Sequence, residues 1–493
     1  MIRSISVLTG GVQDIANDGS DAEVSPDGQQ IVYVDGQNKE IKLAGSHGES
    51  PRTFFRAPDG ELVGSAHWLP GGKRIGYLRA KAGAAEAEIE TRDLRGGDVR
   101  SVLESTANSI AFAPDGHVFY TTTETSPQQL ASLWSVALDP TTWARAGQPV
   151  KLSTWPGVVA AEPLTISADG RRLVLTKQFA QSDVYLLGLD ADGSATAAPR
   201  QLTTDTQVDW PSQWSRDGSS FLFFSNRTGA LRAFRQPIAA ETPEPIVTGA
   251  GHVRSPQVTA DGKWIVYLEM TAGPDAARIM RVPVAGGPAE QVLAVSSHLE
   301  TATMRFFAPG PGTSGIGAHA FPDLRCPAQW DGSCVLAEVR ADKTQQKTHV
   351  VLSTFDPATG RMRELAVLPG ESADLTFWDV TPDGSAIAFG EFAWGGGDRF
   401  TLLHPATGET RVVRLQHFKN VSDLAWAADG RSLFATTTTI RGAEVIHVML
   451  DGTTHLVRAF QSLTVQNPRP SADGRSLLVG ILSTSSNAWV IEP

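Results

Sequence analysis

The stretch Val24-Ser25-Pro26-Asp27-Gly28-Gln29-Gln30-Ile31-Val32-Tyr33 decides the fold. It reads as an apolar stub, a turn and an alternating apolar run, the pattern of one strand folding back into the next. Gly accepts the positive φ that such a tight turn requires, and Asp tolerates it or bonds the local backbone. Equivalent pairs stand at Asp115-Gly116, Asp169-Gly170, Asp217-Gly218, Asp261-Gly262, Asp331-Gly332, Asp383-Gly384, Asp429-Gly430 and Asp473-Gly474. Trp68-Leu69-Pro70-Gly71-Gly72 fills the one gap, with Gly in place of Asp. The ten markers, near 27, 71, 115, 169, 217, 261, 331, 383, 429 and 473, are separated by 44, 44, 54, 48, 44, 70, 52, 46 and 44 residues. A period of about 40–50 residues is that of four-stranded propeller blades, and it excludes the shorter solenoid repeats.

Each marker joins a first strand to a second. The second alternates with period two, as in Ile75 and Tyr77, Leu173 and Leu175, Ile265 and Tyr267, and Leu477 and Val479. That pattern suits a strand held between neighbouring sheets. A third run follows in every unit, among them residues 40–43, 184–187 and 445–448, and a fourth follows a turn, as at residues 52–55 and 200–203. Only the tenth unit stops after its third run, at 487–493. The N-terminal run Ser4 to Thr9 ends in Leu-Thr like Leu202-Thr203, so it is expected to supply the missing strand. Such closure removes exposed sheet edges. The expectation is an all-β chain, residues 1–493 forming a propeller array of about ten four-stranded blades. One large ring is preferred over two smaller ones, closed by the N-terminal strand.

Composition agrees. Of 493 residues, 77 (47 Gly and 30 Pro) are turn formers, which suits many short strands and disfavours long helices. The net charge of -11 leaves no electrostatic footprint for nucleic acid. No apolar run reaches the ~18 residues of a membrane-spanning helix, so no membrane insertion is expected. Residues 1–10 lack the apolar core of a signal peptide, which points to the cytoplasm.

In its turn motifs the sequence resembles the TolB-like propeller family, whose first hairpin reads W-S-P-D-G-x-x-I-x-F. Ser25-Pro26-Asp27-Gly28, Trp214-Ser215-Arg216-Asp217-Gly218 and Trp426-Ala427-Ala428-Asp429-Gly430 carry the likeness. Residues 244–287 are similar to the propeller regions at the C-terminus of bacterial Ser/Thr kinases and winged-helix regulators. The chain has no kinase Gly-rich loop, catalytic loop or winged helix, so the resemblance implies a sensory or partner-binding role rather than catalysis. A propeller hosts unrelated activities, and function is argued from its site.

Cys326 and Cys334 flank the turn at Asp331-Gly332 and are within reach of a disulfide across it, which would place the chain outside the cytoplasm. Segments just before each first strand approach one mouth of a propeller channel. Trp210, Arg254, Trp378 and Arg469 are the candidate partner-binding rim, since Trp and Arg dominate binding hot spots. Trp214 and Trp426, at the ends of first strands, are expected in the core. Residues 296–324 read as an irregular Gly/Pro-rich insertion, in which Phe306, Phe307 and Phe321, with nearby Trp330, would anchor a partner or tuck under the ring. The histidines show no metal-ligand spacing, and only scattered His67, His252, His319 and His447 could converge on an ion. No Gly-x-Ser-x-Gly elbow occurs. No catalytic residue, metal or cofactor is assigned. The expected function is a non-enzymatic scaffold or sensor binding a protein or peptide. The alternative is a lyase or hydrolase acting on a polysaccharide or small molecule with a channel metal.

Overall fold

The computed structural model describes residues 2–6, 8–81, 86–124, 130–156, 158–247, 251–270, 277–295, 321–342, 347–368, 377–390, 397–439 and 441–492. Among them there is no helix, and the 39 strands are numbered β1 to β39 in chain order. The Asp-Gly marker builds its turn as its chemistry requires. In the first copy Gly28, at φ 74°, donates its N–H to Ser25 O. Asp27 Oδ1 accepts from Gln29 N and from Ser25 Oγ, and Ser25 Oγ accepts from Gln30 N. The same bonds recur around Asp169, Asp217 and Asp473, whose carboxyls they hold below the usual range.

The strands form eight four-stranded sheets, one five-stranded sheet and one two-stranded sheet, and in the five-stranded sheet β15 and β38 pair antiparallel with β16 and β39. Each four-stranded sheet is a meander of sequential strands, the form of a propeller blade. Buried apolar clusters lie between consecutive sheets. Phe377, Ala388 and Phe400 of one sheet meet Leu424, Trp426 and Ile446 of the next.

Three expectations change. First, β1 (Ile2–Ile5) pairs with β2 (Val12–Ala16) in a sheet of its own and does not close the last unit. Ile2, Ile15 and Ala16 pack instead on Ile31, Tyr33 and Ala44. Second, the runs read as separate second and third strands at 173–187 are one sixteen-residue strand, β16 (Leu173–Gly188), and β39 (Ser476–Ile491) is equally long. The two are neighbours in the five-stranded sheet. No Gly or Pro interrupts 174–187 or 481–491, and the polar clusters Ser182-Asp183 and Ser483 to Asn487 do not form turns there. Third, the preferred single ring gives way to two compact units, Met1–Phe179 with Ser485–Pro493, and Ala180–Thr484. The chain changes unit inside β16 and again inside β39.

In the first unit the sheets begin with β3 (Ser20–Val24), β7 (Glu61–Trp68), β11 (Ala107–Phe112) and β15 (Val158–Ile166), each in contact with the next. In the second unit the first strands are β18 (Asp209–Trp214), β22 (His252–Val258), β26 (Asp323–Arg325), β30 (Phe377–Val380), β34 (Val421–Trp426) and β38 (Thr464–Pro470). There β38 touches β18, β18 touches β22, β22 touches β26, β30 touches β34 and β34 touches β38. An Arg325–Asp379 ion pair joins β26 to β30. Of the insertion, 296–320, with Phe306, Phe307 and His319, lies outside the described residues. Phe321 is buried against Val335 and Trp378, and Trp330 packs on the same cluster.

Candidate binding site on the first strands

Two columns of polar residues recur on the first strands, six and four positions before the marker turn. Several accept from the backbone of the next strand. In the first unit Asp21 Oδ2 accepts from Ser65 N at 3.0 Å, Ser65 Oγ from Ile110 N at 3.1 Å and Ser109 Oγ from Leu164 N at 3.0 Å. In the second, Asp423 Oδ2 accepts from Asn467 N at 2.7 Å. In the other column Glu23 accepts from Trp68 N, Gln213 from Val258 N and Asp379 from Trp426 N. Several first strands are bulged where these residues sit, and Asp21, Ser65, Ser255 and Asn467 have φ near +50°. A bulge re-aims a side chain along a strand that would otherwise alternate regularly, and here it serves the tie to the neighbour.

In the second unit the columns gather charge. Asp323, 3% exposed, accepts from Ser255 Oγ, Leu324 N, Arg325 and Trp378 Nε1. Arg325 lies 2.8 Å from Asp323 and 3.3 Å from Asp379. Burial works against its charge, yet Asp323, Asp379 and Asp423 outweigh that cost and raise its pKa. Burial raises the Asp379 carboxyl against the pull of Arg325 and Arg469. Arg469 donates from Nε to Ser212 O at 2.8 Å and from an Nη to Pro468 O at 2.9 Å. Its pKa is lowered by burial and then by Arg325, with Asp423, Asp379 and Asp323 opposing. Arg254 is lowered by burial, with Asp323 opposing. The buried members, Asp323, Arg325 and Asp423, lie in a desolvated setting, where loss of one partner costs far more than an exposed pair would.

The four rim candidates divide. Arg254 and Arg469 are partly exposed and share the field of Asp323. Trp210 and Trp378 are buried. Trp210 lies against Gly480, where an added Cβ would stand 2.9 Å from its ring, and Trp378 is in the core with its N–H on Asp323. Neither tryptophan presents a face to a partner as placed. Trp214 and Trp426 are in the core as expected, but only Trp214 Nε1 has a partner, Arg469 O at 2.7 Å. The sequence reading missed Asp323, Arg325, Asp379 and Asp423; for Arg325, Asp379 and Asp423 a polar residue at a fixed offset from the marker was the available signal, whereas Asp323 stands eight positions before its own.

A second charged group surrounds Arg227, which meets Asp205 and Asp209 at 2.8 Å each. Burial pushes nearby Asp183 up to about 6. His67 is on β7, His252 on β22 and His447 on β36 (Gly442–Met449), and no three of the described His, Cys, Asp and Glu side chains stand where they could share a metal ion. Cys326 and Cys334 are joined in a disulfide, Cα–Cα 4.2 Å, between the end of β26 and the start of β27 (Cys334–Asp342).

No family model matches the chain. An uncharacterised protein of Agrobacterium fabrum is 26% identical over 214 residues, 43% of this chain and 67% of that one. Among solved structures, a gluconolactonase of Xanthomonas campestris aligns with 66% of this chain and 98% of its own at 14% identity and a TM-score of 0.39. TolB of Acinetobacter baumannii aligns with 72% of this chain and 79% of its own at 14% identity and 0.26. An oligogalacturonate lyase bound to manganese aligns with 91% of this chain and 96% of its own at 11% identity and 0.29. These are propeller-like neighbours with unlike activities, and none of those activities is carried over.

Proposed function

We propose that the chain is a β-propeller protein whose second unit, a ring of six blades, binds a protein or peptide without catalysis, with the partner site on its first strands. The observation that carries the reading is the pair Arg254 on β22 and Arg469 on β38, both partly exposed on first strands of the unit that also holds the Asp323–Arg325–Asp379 group. Asp323, Asp379 and Asp423 are tied to backbone N–H groups, so their charges are fixed in the wall. The partly exposed guanidiniums of Arg254 and Arg469 are the groups taken to meet the partner. A desolvated guanidinium presents a planar fork that matches a carboxylate, so the partner is expected to offer an acidic side chain or a chain-terminal carboxylate. The disulfide suits an oxidising compartment.

The test is binding of acidic peptides to the purified chain beside Arg254→Gln and Arg469→Gln. Each substitution is expected to weaken binding by at least about tenfold, in line with truncation of one partner of a desolvated charge pair. Equal binding by both variants, with melting profiles unchanged, would reject the site.

A further inference from the structure

The first unit holds an arrangement that this binding role does not use. The column four positions before the turns puts Glu23 on β3 and His67 on the adjoining β7. His67 Nδ1 is 3.3 Å from Glu23 Oε2, and His67 Nε2 is 3.2 Å from Ser65 Oγ. Acid, imidazole and hydroxyl stand in line, each at one end of the ring, which is the relation that activates a serine. Ser65 sits in a bulge at φ 48°, with its N–H held by Asp21.

The repeat provides an internal control. Ser109, the equivalent residue on β11, makes the same tie to the next strand, but Ala111 stands where the previous unit has His67. The tie needs only a hydroxyl oxygen, so neither His67 nor its bond to Ser65 is required by the fold. Ser65 Oγ accepts from Ile110 N, and its own proton has His67 Nε2 within reach. With Nδ1–H directed to Glu23, the neutral imidazole keeps Nε2 as an acceptor.

We propose that Ser65, His67 and Glu23 form an acyl-transfer site for small esters. Ser65 Oγ bonds to the ester carbonyl carbon as its proton passes to His67 Nε2, and the carbonyl π pair moves onto oxygen. That pair returns as the carbon–oxygen bond to the alcohol breaks, and the alcohol leaves with the proton from His67. Water then attacks the acyl-Ser65 ester, gives its proton to His67, and the acid departs as the proton returns to Ser65. Glu23 orients the imidazole and offsets its charge. Ser65 is only 7% exposed, which restricts the substrate to a small acyl group. Its N–H is engaged by Asp21 and that of Ile110 by the hydroxyl, so neither serves an oxyanion and the turnover is slow.

Covalent capture is therefore the sensitive readout. The full chain is treated with a fluorophosphonate and, separately, with p-nitrophenyl acetate, then mapped by peptide mass spectrometry. One adduct on Ser65 is expected, absent in Ser65→Ala, and formed at least ~10-fold more slowly in His67→Gln, which leaves the Ser65 tie in place. Ser109→Ala should react like the wild type. No adduct on Ser65, or an unchanged rate in a folded His67→Gln, would overturn the proposal.

Discussion

Asp423 shows how one side chain holds two strands. It is fully buried, with Oδ1 on Leu424 N and Oδ2 on Asn467 N, both at 2.7 Å. Asp423→Ala leaves two buried N–H groups without acceptors and should cost about 2–4 kcal/mol, read as a fall in the urea midpoint at constant slope. Glu162 offers a pH test. Burial, followed by the charge of Asp21, pushes its carboxyl from the ordinary 4.5 up to about 8. The folded chain therefore holds a proton that the unfolded chain has released, and stability from this group falls as pH rises from about 4.5 to about 8. Glu162→Gln should remove that slope, so the midpoint difference between variant and wild type should widen from pH 5 to pH 8; a constant difference would contradict it. At this scale the turn residues were legible, because Asp27 and Gly28 act through neighbours in sequence. The columns were not read, because Asp21 and Ser65 act on a strand 44 residues away and look like ordinary polar interruptions. Trp210 and Trp378 were read as a rim from residue type and position, which do not tell an outward ring from one turned into the core.

Among the elements, the long strands β16 and β39 matter most. In the first unit Arg172 meets Glu492 at 2.8 Å, and Lys177 lies 4.0 and 4.1 Å above the rings of Trp155 and Trp489. Removing residues 485–493 takes away the strand beside residues 173–179 and should make the first unit sensitive to limited proteolysis while fragments from 180–484 persist. Uniform resistance would show that the segment is dispensable. The disulfide closes a short loop between two strands, and Cys326→Ser with Cys334→Ser should cost about 2.5 kcal/mol in the chain-entropy picture, measured by chemical denaturation. The hairpins were legible because each carries a turn signal. The long strands were misread because the blade period invites a turn in every unit and Ser182-Asp183 looks like one, although Lys177 to Asp183 contains no Gly or Pro.

For the whole molecule, the repeat spacing carried the all-β architecture and the four-stranded sheets, while the division into two units followed from which strands pair at a distance. A chain of similar repeats can close after any blade, and local sequence does not say which. The role proposed for the second unit is to bind an anionic group on its first strands through Arg254 and Arg469. The measurement that tests it most directly is an equilibrium titration of the intact chain with matched acidic, neutral and basic peptides, repeated with Arg469→Gln and Arg469→Lys. Binding is expected to be confined to the acidic peptides, weakened by salt, lost in Arg469→Gln and partly kept in Arg469→Lys. Equal affinity for neutral peptides, or acidic-peptide binding untouched in a folded Arg469→Gln, would contradict it.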